Sequence, residues 1–345
     1  MTSDTGTETD VAIPAPALHE AVFRVLVAEG ASQVDAQKQA TVLVEGDLRG
    51  HHSHGVRRLA VLVGRLRNGL IKSPVEPDAR WVTDSFLRVD GRCGFGPVVA
   101  HNVVDQIVER SSRTGIAIAA VSNANHVGML APYVEQIAGC EQIGIALTSS
   151  EALVHPWGSA KPMIGTNPIA IAVPTSGEPM VLDMATAAVS MGKVLDHSEK
   201  SLPIPLGWAV DREGVPTTNP SEVLDGALSP FGGPKGYALG IALEVFLGAL
   251  SGTSFGADKL GTLDTTNPVT KGDVFIAISL DRVGLIPQLA HVNDYLNEVR
   301  ASASYDTQVT VPGDRARATR KARMEHGIPV SQDLWNEIGN LLEAR

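Results

Sequence analysis

Hydrophobic periodicity changes character at Gly115, and that change limits the fold more than any other feature of the chain. Before it, apolar residues recur at helical spacing over Leu18 to Ala28 and Val34 to Leu48, with Val42, Leu43 and Leu48 as a stripe and Gly50 as a stop. A further helix is expected over Val56 to Arg67, ended by Asn68-Gly69, with Arg57, Arg58 and Arg65 near one helix start and face. Trp81 to Val89 reads as a strand, Gly91 to Gly96 as a glycine-rich turn and Pro97 to Arg110 as a helix with proline in its first turn. After Gly115 come short β-branched runs, Ile116 to Val121, Ile143 to Thr148, Ile169 to Val173 and Val181 to Leu182, each closed by polar or glycine residues as strands are. Ala187 to Leu195 and the apolar stretch Gly236 to Leu250 read as helices, Val274 to Ser279 as a late strand, and the chain beyond Pro287 as mostly helical. This order fits neither a βαβ alternation nor an eightfold barrel, so the expected class is α/β with a mixed central sheet.

A chain of 345 residues can bury a substantial core, in one large or two intimately connected domains. A formal charge of −10 argues against nucleic acid or an anionic membrane as the main partner, since both need a positive footprint. The most apolar stretch, Tyr237 to Leu250, is interrupted by Glu244 and is too short to cross a bilayer. The first dozen residues have neither a basic nor an apolar segment of a secretory signal, and residues 1–13 are expected to form a frayed tail. Cys93 and Cys140, far apart and in no CxxC pattern, read as buried thiols of a reducing cytoplasm.

The chemistry concentrates in Gly50-His51-His52-Ser53-His54-Gly55-Val56-Arg57-Arg58. Imidazole titrates nearest neutrality and a guanidinium grips a carboxylate through paired hydrogen bonds, so the loop suits binding and protonating an oxo acid. The alternative is a metal site built on His52, His54 and His126 in a hydrolase. His52-Ser53-His54 follows a helix rather than a strand, however, and no convincing set of further ligands completes a zinc shell, so no metal is expected. His51 and His52 read equally as capping or solvated side chains.

Other segments are ambiguous taken singly. Asn123 to Gly128, with His126, is a polar loop at a strand's carboxyl end, a common ligand position and equally a plain Asn-rich turn. Gly165-Thr166-Asn167-Pro168 is a good turn with or without a ligand. Asp183 closes a buried strand, where a carboxylate needs a partner: a protonated histidine, or the amides of a helix it caps from Ala187 onward. Lys235-Gly236 opens a long helix and offers an anion seat, since a lysine there is unfavourable without one. The basic cluster Arg315, Arg317, Arg320, Lys321 and Arg323 reads mainly as a solvated helix face. The dinucleotide fingerprint GxGxxG and the phosphate loop are both absent, so a nicotinamide cofactor would need another scaffold.

In order and spacing, Asp47 to Gly50, Ser53 to Leu59, Asn123 to Gly128, Pro156-Trp157-Gly158, Gly165 to Pro168, Leu182 to Thr186, Gly207-Trp208-Ala209 and Lys235-Gly236-Tyr237 closely resemble the type 2 malate/L-lactate dehydrogenase family, from about Leu18 to Gly327. The resemblance implies an NAD- or NADP-dependent oxidoreductase with a non-Rossmann cofactor fold, usually homodimeric. It implies that His54 is the acid/base, with Ser53 and Asp183 supporting it, and that His126 is a second active-site histidine, assigned the proton transfer in some members. Arg58 becomes the substrate-carboxylate anchor, with Arg49 as a further substrate contact. Cofactor contacts map to Thr166, Asn167 and Pro168, to Asp183, Met184 and Ala185, to Lys235 and Gly236, and to Gly313, Asp314 and Arg315. Many members read Thr-Asn-Ser where this chain has Thr148-Ser149-Ser150, replacing an asparagine contact with a shorter hydroxyl.

The lobes expected on this basis are 14–115 plus 285–345, helical and substrate-binding, and 116–284, cofactor-binding, with the site in the cleft between them. The expected reaction moves a hydride between NAD(P)H and C2 of a small 2-oxo or 2-hydroxy acid while His54 exchanges a proton with the C2 oxygen. The alternative within the same family is reduction of a cyclic imino acid such as piperideine-2-carboxylate.

Overall fold

The computed structural model describes residues 10–305 and 307–343. Strand β1 (Asp10–Ile13) leads into α1 (Ala15–Ala28) and α2 (Gln33–Leu48), the latter capped by the Ser32 hydroxyl, which accepts from the Asp35 amide at 3.2 Å. Two tight 3-10 turns, His52–His54 and Val56–Arg58, precede α3 (Leu59–Arg67). Then follow β2 (Asp78–Trp81), β3 (Phe86–Asp90), α4 (Gly96–Thr114), β4 (Ile116–Ser122), α5 (Ala131–Ala138), β5 (Gln142–Thr148), β6 (Ile169–Val173) and β7 (Met180–Met184). The rest comprises α6 (Met191–Glu199), β8 (Ala209–Val210), β9 (Ala227–Leu228), α7 (Pro234–Ser251), β10 (Asp273–Ser279), α8 (Gln288–Ala301), α9 (Asp314–His326), β11 (Ile328–Ser331) and α10 (Gln332–Glu343).

Seven strands form one mixed sheet in the order β2-β3-β4-β10-β5-β6-β7, parallel only between β3 and β4. Its two faces follow from the two-residue period of the strands. Ala117, Ala119, Val121, Ala146, Ala170, Ala172 and Ala277 turn to one side, where α4 and α5 pack with Val103, Ile107, Tyr133, Val134 and Ile137. The run of alanines lets the helices sit close. Ile118, Ala120, Leu147 and Val274 turn to the other side, under Leu243 and Leu247 of α7. A second core joins the chain's two ends, with α1, α2 and α3 contributing Leu18, Val22, Leu43 and Leu59, and the C-terminal region Ile328, Val330 and Ile338.

Four differences from the sequence expectations have physical causes. Residues 10–13 are not part of a frayed tail, because β1 pairs antiparallel with β11 in the register Asp10↔Ser331 to Ile13↔Ile328; residues 1–9 lie outside the described ones. The single strand expected over Trp81 to Val89 is a hairpin, since the Thr83 hydroxyl accepts from the Ser85 and Phe86 amides at 3.3 and 3.0 Å and turns the chain. That hairpin and α4 belong to the sheet core, so the structure assigned to the first lobe up to residue 115 is divided between the two cores. Cys140 is exposed and Cys93 half-buried, so neither is the buried thiol expected.

Candidate active site

The His-rich loop is stitched by Asp47, whose role the sequence does not announce. Asp47, on the last turn of α2 and buried, accepts from the Val56 amide at 2.7 Å and bonds the His52 ring at 2.8 Å. Two glycines make room for this clasp. A Cβ on Gly55 would lie 2.2 Å from the Asp47 carboxylate, and one on Gly46 would lie 2.8 Å from the His54 carbonyl oxygen. His52 is further held by Arg323 at 3.2 Å, so its role is architectural. His54, at the end of the same turn, has its Nδ1 3.0 Å from the Ser53 hydroxyl. Gly192, near the start of α6, covers Ser53 so closely that an added Cβ would come within 2.9 Å of the serine Cβ.

His126 approaches from the loop beyond β4, and its ring centroid lies 5.5 Å from that of His54. Every part of that loop is fixed. Asn125, 1% exposed, accepts from Arg65 Nε at 2.9 Å and donates to the carbonyls of Leu70, Cys93 and Gly94. The Tyr133 hydroxyl donates to the Val127 carbonyl at 2.5 Å. His126 Nδ1 accepts from the Gly128 amide at 3.0 Å, so the neutral ring carries its proton on Nε2. Beneath the loop, a Cβ on Gly96 would fall 2.3 Å from the His126 carbonyl oxygen, which only glycine permits.

Arg58 supplies the positive charge. Its Nε donates to the Ser53 carbonyl at 3.1 Å and its Nη1 to the Thr262 carbonyl at 3.0 Å, and no carboxylate among the described residues forms an ion pair with it. Burial lowers its pKa to about 10, opposed by the charge of Glu151. Burial, then Arg58 and then His51 hold the His54 imidazole at about 3, and burial, Arg58 and His54 depress His126 as well. The site as it stands therefore holds two neutral imidazoles beside a guanidinium with no anionic partner.

Two residues expected here lie elsewhere. Asp183 touches neither imidazole; its Oδ2 accepts from the Leu130 and Ala131 amides, both at 2.8 Å, and so caps α5. Both lone-pair directions of that one oxygen are taken by a helix start, and burial still raises the Asp183 pKa to about 6. The helix it was expected to cap begins instead at Met191, behind the Ser190 hydroxyl. Arg49 is spent on Glu135 through paired bonds of 2.6 and 2.8 Å and on Glu45 at 3.0 Å, which leaves it no fork for a substrate carboxylate. It lines a cavity of about 540 Å³ whose walls include none of His54, His126 or Arg58.

A family model described as malate/L-lactate dehydrogenase matches residues 13–339. The chain belongs to the malate/L-lactate dehydrogenase family. It is 35% identical over 323 residues to the malate/(S)-sulfolactate dehydrogenase of Methanothermus fervidus, covering 93% of this chain and 94% of that protein. To Delta(1)-pyrroline-2-carboxylate reductase 1 of Burkholderia ambifaria it is 32% identical, covering 97% and 98% of the two chains. The crystal structure of a dehydrogenase from Sinorhizobium meliloti superposes with a TM-score of 0.93 at 42% identity, over 97% of this chain and 99% of that one. Membership makes this protein an NAD(P)-dependent oxidoreductase, a dehydrogenase or reductase. No helix among the described residues is long and apolar enough to cross a membrane, and none of their His, Cys, Asp and Glu side chains group in threes as a metal shell needs.

The segments expected to meet the cofactor are linked by hydrogen bonds around β7, the edge strand of the sheet. Pro168 leads into β6, which pairs Ile169 with Met184, and Thr186 donates to the Thr166 carbonyl through its amide at 2.8 Å and its hydroxyl at 2.9 Å. Phe231, just before Lys235-Gly236, donates to the Thr186 carbonyl at 3.1 Å, and the Val181 amide donates to the Pro312 carbonyl at 3.2 Å, bringing Gly313 alongside. The donor set fits a nucleotide's phosphates. The start of α7 has no side-chain cap and no acidic residue in its first turn, and exposed Lys235 has no carboxylate partner among the described residues. Exposed Trp157 lies against Gly233 at the same helix start. Three of the mapped residues are otherwise engaged: Asp183 caps α5, Asn167 donates to Glu244 at 2.6 Å inside the core, and Asp314 pairs with Arg300 at 2.8 and 2.9 Å. Ser149, where many members have asparagine, is buried and clasps Gly272, its hydroxyl accepting from the Gly272 amide at 3.1 Å.

Proposed function

We propose that the protein transfers a hydride between NAD or NADP and C2 of a small 2-oxo or 2-hydroxy acid, with Arg58 holding the carboxylate and the His54–His126 pair handling the proton. The observation that carries this reading is the partly buried, anion-free guanidinium beside two imidazoles 5.5 Å apart. The nicotinamide supplies the hydride chemistry; Lys235, the first amides of α7 and the Thr166 hydroxyl would hold its phosphates.

Charge balance then orders the proton steps. An incoming carboxylate neutralises Arg58, one of the groups that depress both histidines, so substrate binding raises the His54 pKa and draws a proton onto it. His126 Nε2–H donates to the C2 oxygen and stabilises its developing negative charge, and His54 delivers the proton that completes the hydroxyl. In the oxidative direction neutral His54 is ready to accept. Ser53 orients the His54 ring through its hydroxyl.

A second reading shares the cleft: reduction of a cyclic imino acid. Two imidazoles kept neutral suit a substrate whose C=N nitrogen already carries its own proton, because hydride addition then needs no acid. Screening 2-oxo acids and cyclic imino acids against both reduced cofactors, by loss of the nicotinamide absorbance, separates the two readings and the two cofactors. Turnover of neither class would defeat both.

The protein acts as a homodimer in this account. Beyond its first turn, the exposed side chains of α7 are all apolar, Ala238, Leu239, Ala242, Val245, Phe246 and Ala249, at helical spacing, and exposed Leu260 and Leu263 extend the apolar surface. A second copy of the chain is the occupant the family expectation supplies.

A further inference from the structure

We propose that Glu151 is the positioning residue of the carboxylate anchor, and that its charge selects substrates with one carboxylate over those with two. The proposal rests on the reading of Arg58 as that anchor. One oxygen of Glu151, Oε1, accepts three hydrogen bonds from a single loop: the Thr262 amide at 2.7 Å, the Thr262 hydroxyl at 3.0 Å and the Leu263 amide at 3.0 Å. The next atom group along that backbone, the Thr262 carbonyl, receives Arg58 Nη1 at 3.0 Å. The guanidinium is thus hung between two carbonyls, that of Ser53 in the histidine loop and that of Thr262, and Glu151 sets where the second one stands.

Other groups hold the rest of the Thr262 loop. Asp264 ties the loop to itself, accepting from the Gly261, Thr266 and Asn267 amides, and Arg65 grips its far end through the Asp264 and Asn267 carbonyls at 2.8 and 3.1 Å. Among the described residues, only Glu151 accepts from the Thr262 and Leu263 amides. Its Oε2 makes no hydrogen bond among the described residues, and the side chain is half-buried, so its charge is neither neutralised by a cation in contact nor fully screened by water. The charge is felt at Arg58, whose pKa it raises against burial. A substrate carrying one carboxylate meets a guanidinium held in place. A substrate carrying two brings its second negative charge toward Glu151, while Arg49, the other guanidinium expected to help, is bound to Glu45 and Glu135.

The two roles separate by substitution. Glu151→Gln keeps a carbonyl oxygen to accept from the loop and removes the charge; Glu151→Ala removes both. Calorimetric titration of the enzyme with bound reduced nicotinamide uses oxamate, with one carboxylate and not reducible, and tartronate, a 2-hydroxy acid with two. For Glu151→Gln, oxamate affinity is expected to stay within about twofold and tartronate affinity to rise about fivefold, the weight of one partly screened unit charge. For Glu151→Ala, oxamate is expected to bind about tenfold more weakly while the affinity for the nicotinamide itself, followed by its fluorescence, is unchanged. An unaltered oxamate-to-tartronate ratio in Glu151→Gln overturns the proposal, and does so even where Glu151→Ala fails to fold. Arg58→Lys, titrated alongside, keeps the two layers apart: unchanged oxamate binding there removes the anchor reading and this inference with it, whereas weakened binding there with wild-type behaviour of both Glu151 variants removes this inference alone.

Discussion

Replacing Arg58 with methionine should raise the His54 pKa, and the size of the rise is set by the site. His54 is held near 3 against an ordinary value of 6.5, by burial first and Arg58 second, which corresponds to about 4–5 kcal/mol of penalty on the imidazolium at about 1.36 kcal/mol per unit. A unit charge at an assumed separation of about 5–8 Å and an effective dielectric near 20 would account for about 2–3 kcal/mol of such a penalty, and partial solvent access to the ring would halve it. Arg58→Met should therefore move His54 up by about one unit, with burial keeping it below 6.5. The assay is an NMR titration of the imidazole Cε1–H in the wild type and the variant. The sign for stability follows: a histidine whose folded pKa is depressed contributes stability above 6.5 that is lost as pH falls toward 3, because the unfolded chain takes up the proton first. Between pH 6.5 and 5 His54 alone should cost the wild type about 1–2 kcal/mol, and Arg58→Met should lose less over its own titration. A wild-type His54 titrating near 6.5, or one that does not move in the variant, would refute the electrostatic argument.

Four further outcomes follow. Alanine at His54 or His126 should lower turnover by about 10² to 10⁴ with little change in nicotinamide affinity, measured by single-turnover absorbance and fluorescence titration; the histidine whose loss costs more is the one that moves the proton. Asp183→Asn keeps an oxygen to accept from Leu130 and Ala131, so turnover should fall less than about tenfold, and the destabilising ionisation between pH 3.8 and 6 should disappear from the dependence of melting temperature on pH; a loss like that of an acid/base residue would return Asp183 to the chemistry. Gly96→Ala drives a methyl into the His126 carbonyl and should destabilise by about 1–3 kcal/mol while lowering turnover more than nicotinamide affinity, read by thermal melting and kinetics. Val245→Arg, in the middle of the exposed α7 face, should yield a monomer by sedimentation, whereas an unchanged mass would locate any dimer contact elsewhere.

Much of this was legible in the residues because the signals are local. The helices before Gly115 and the strands after it follow from side-chain period, and β4, β5, β6 and β10 lie where the β-branched runs stand. The Ser53-His54-Arg58 turn and His126 could be singled out because such side chains gather where charge is handled. What escaped is non-local or disguised. The pairing of β1 with β11 spans nearly the whole chain and leaves no mark on either four-residue segment. Asp47 stands in the sequence as the start of a family-like motif with no role attached, and the close approach that needs glycine at 46 and 55 becomes visible only in the fold. Asp183 was legible as a carboxylate in need of a partner, but a helix amide and an imidazolium answer that need equally well on paper. Arg49 failed for a similar reason: its bidentate partner Glu135 lies 86 residues away.

The most direct measurement is a crystal structure of the protein with NAD or NADP and oxamate. The oxamate carboxylate is expected on the Arg58 guanidinium and its C2 oxygen within about 2.6–3.2 Å of a nitrogen of His54 or His126, with the nicotinamide ring against the opposite face. A carboxylate seated away from Arg58, with neither imidazole in reach of the C2 oxygen, would contradict the proposed function.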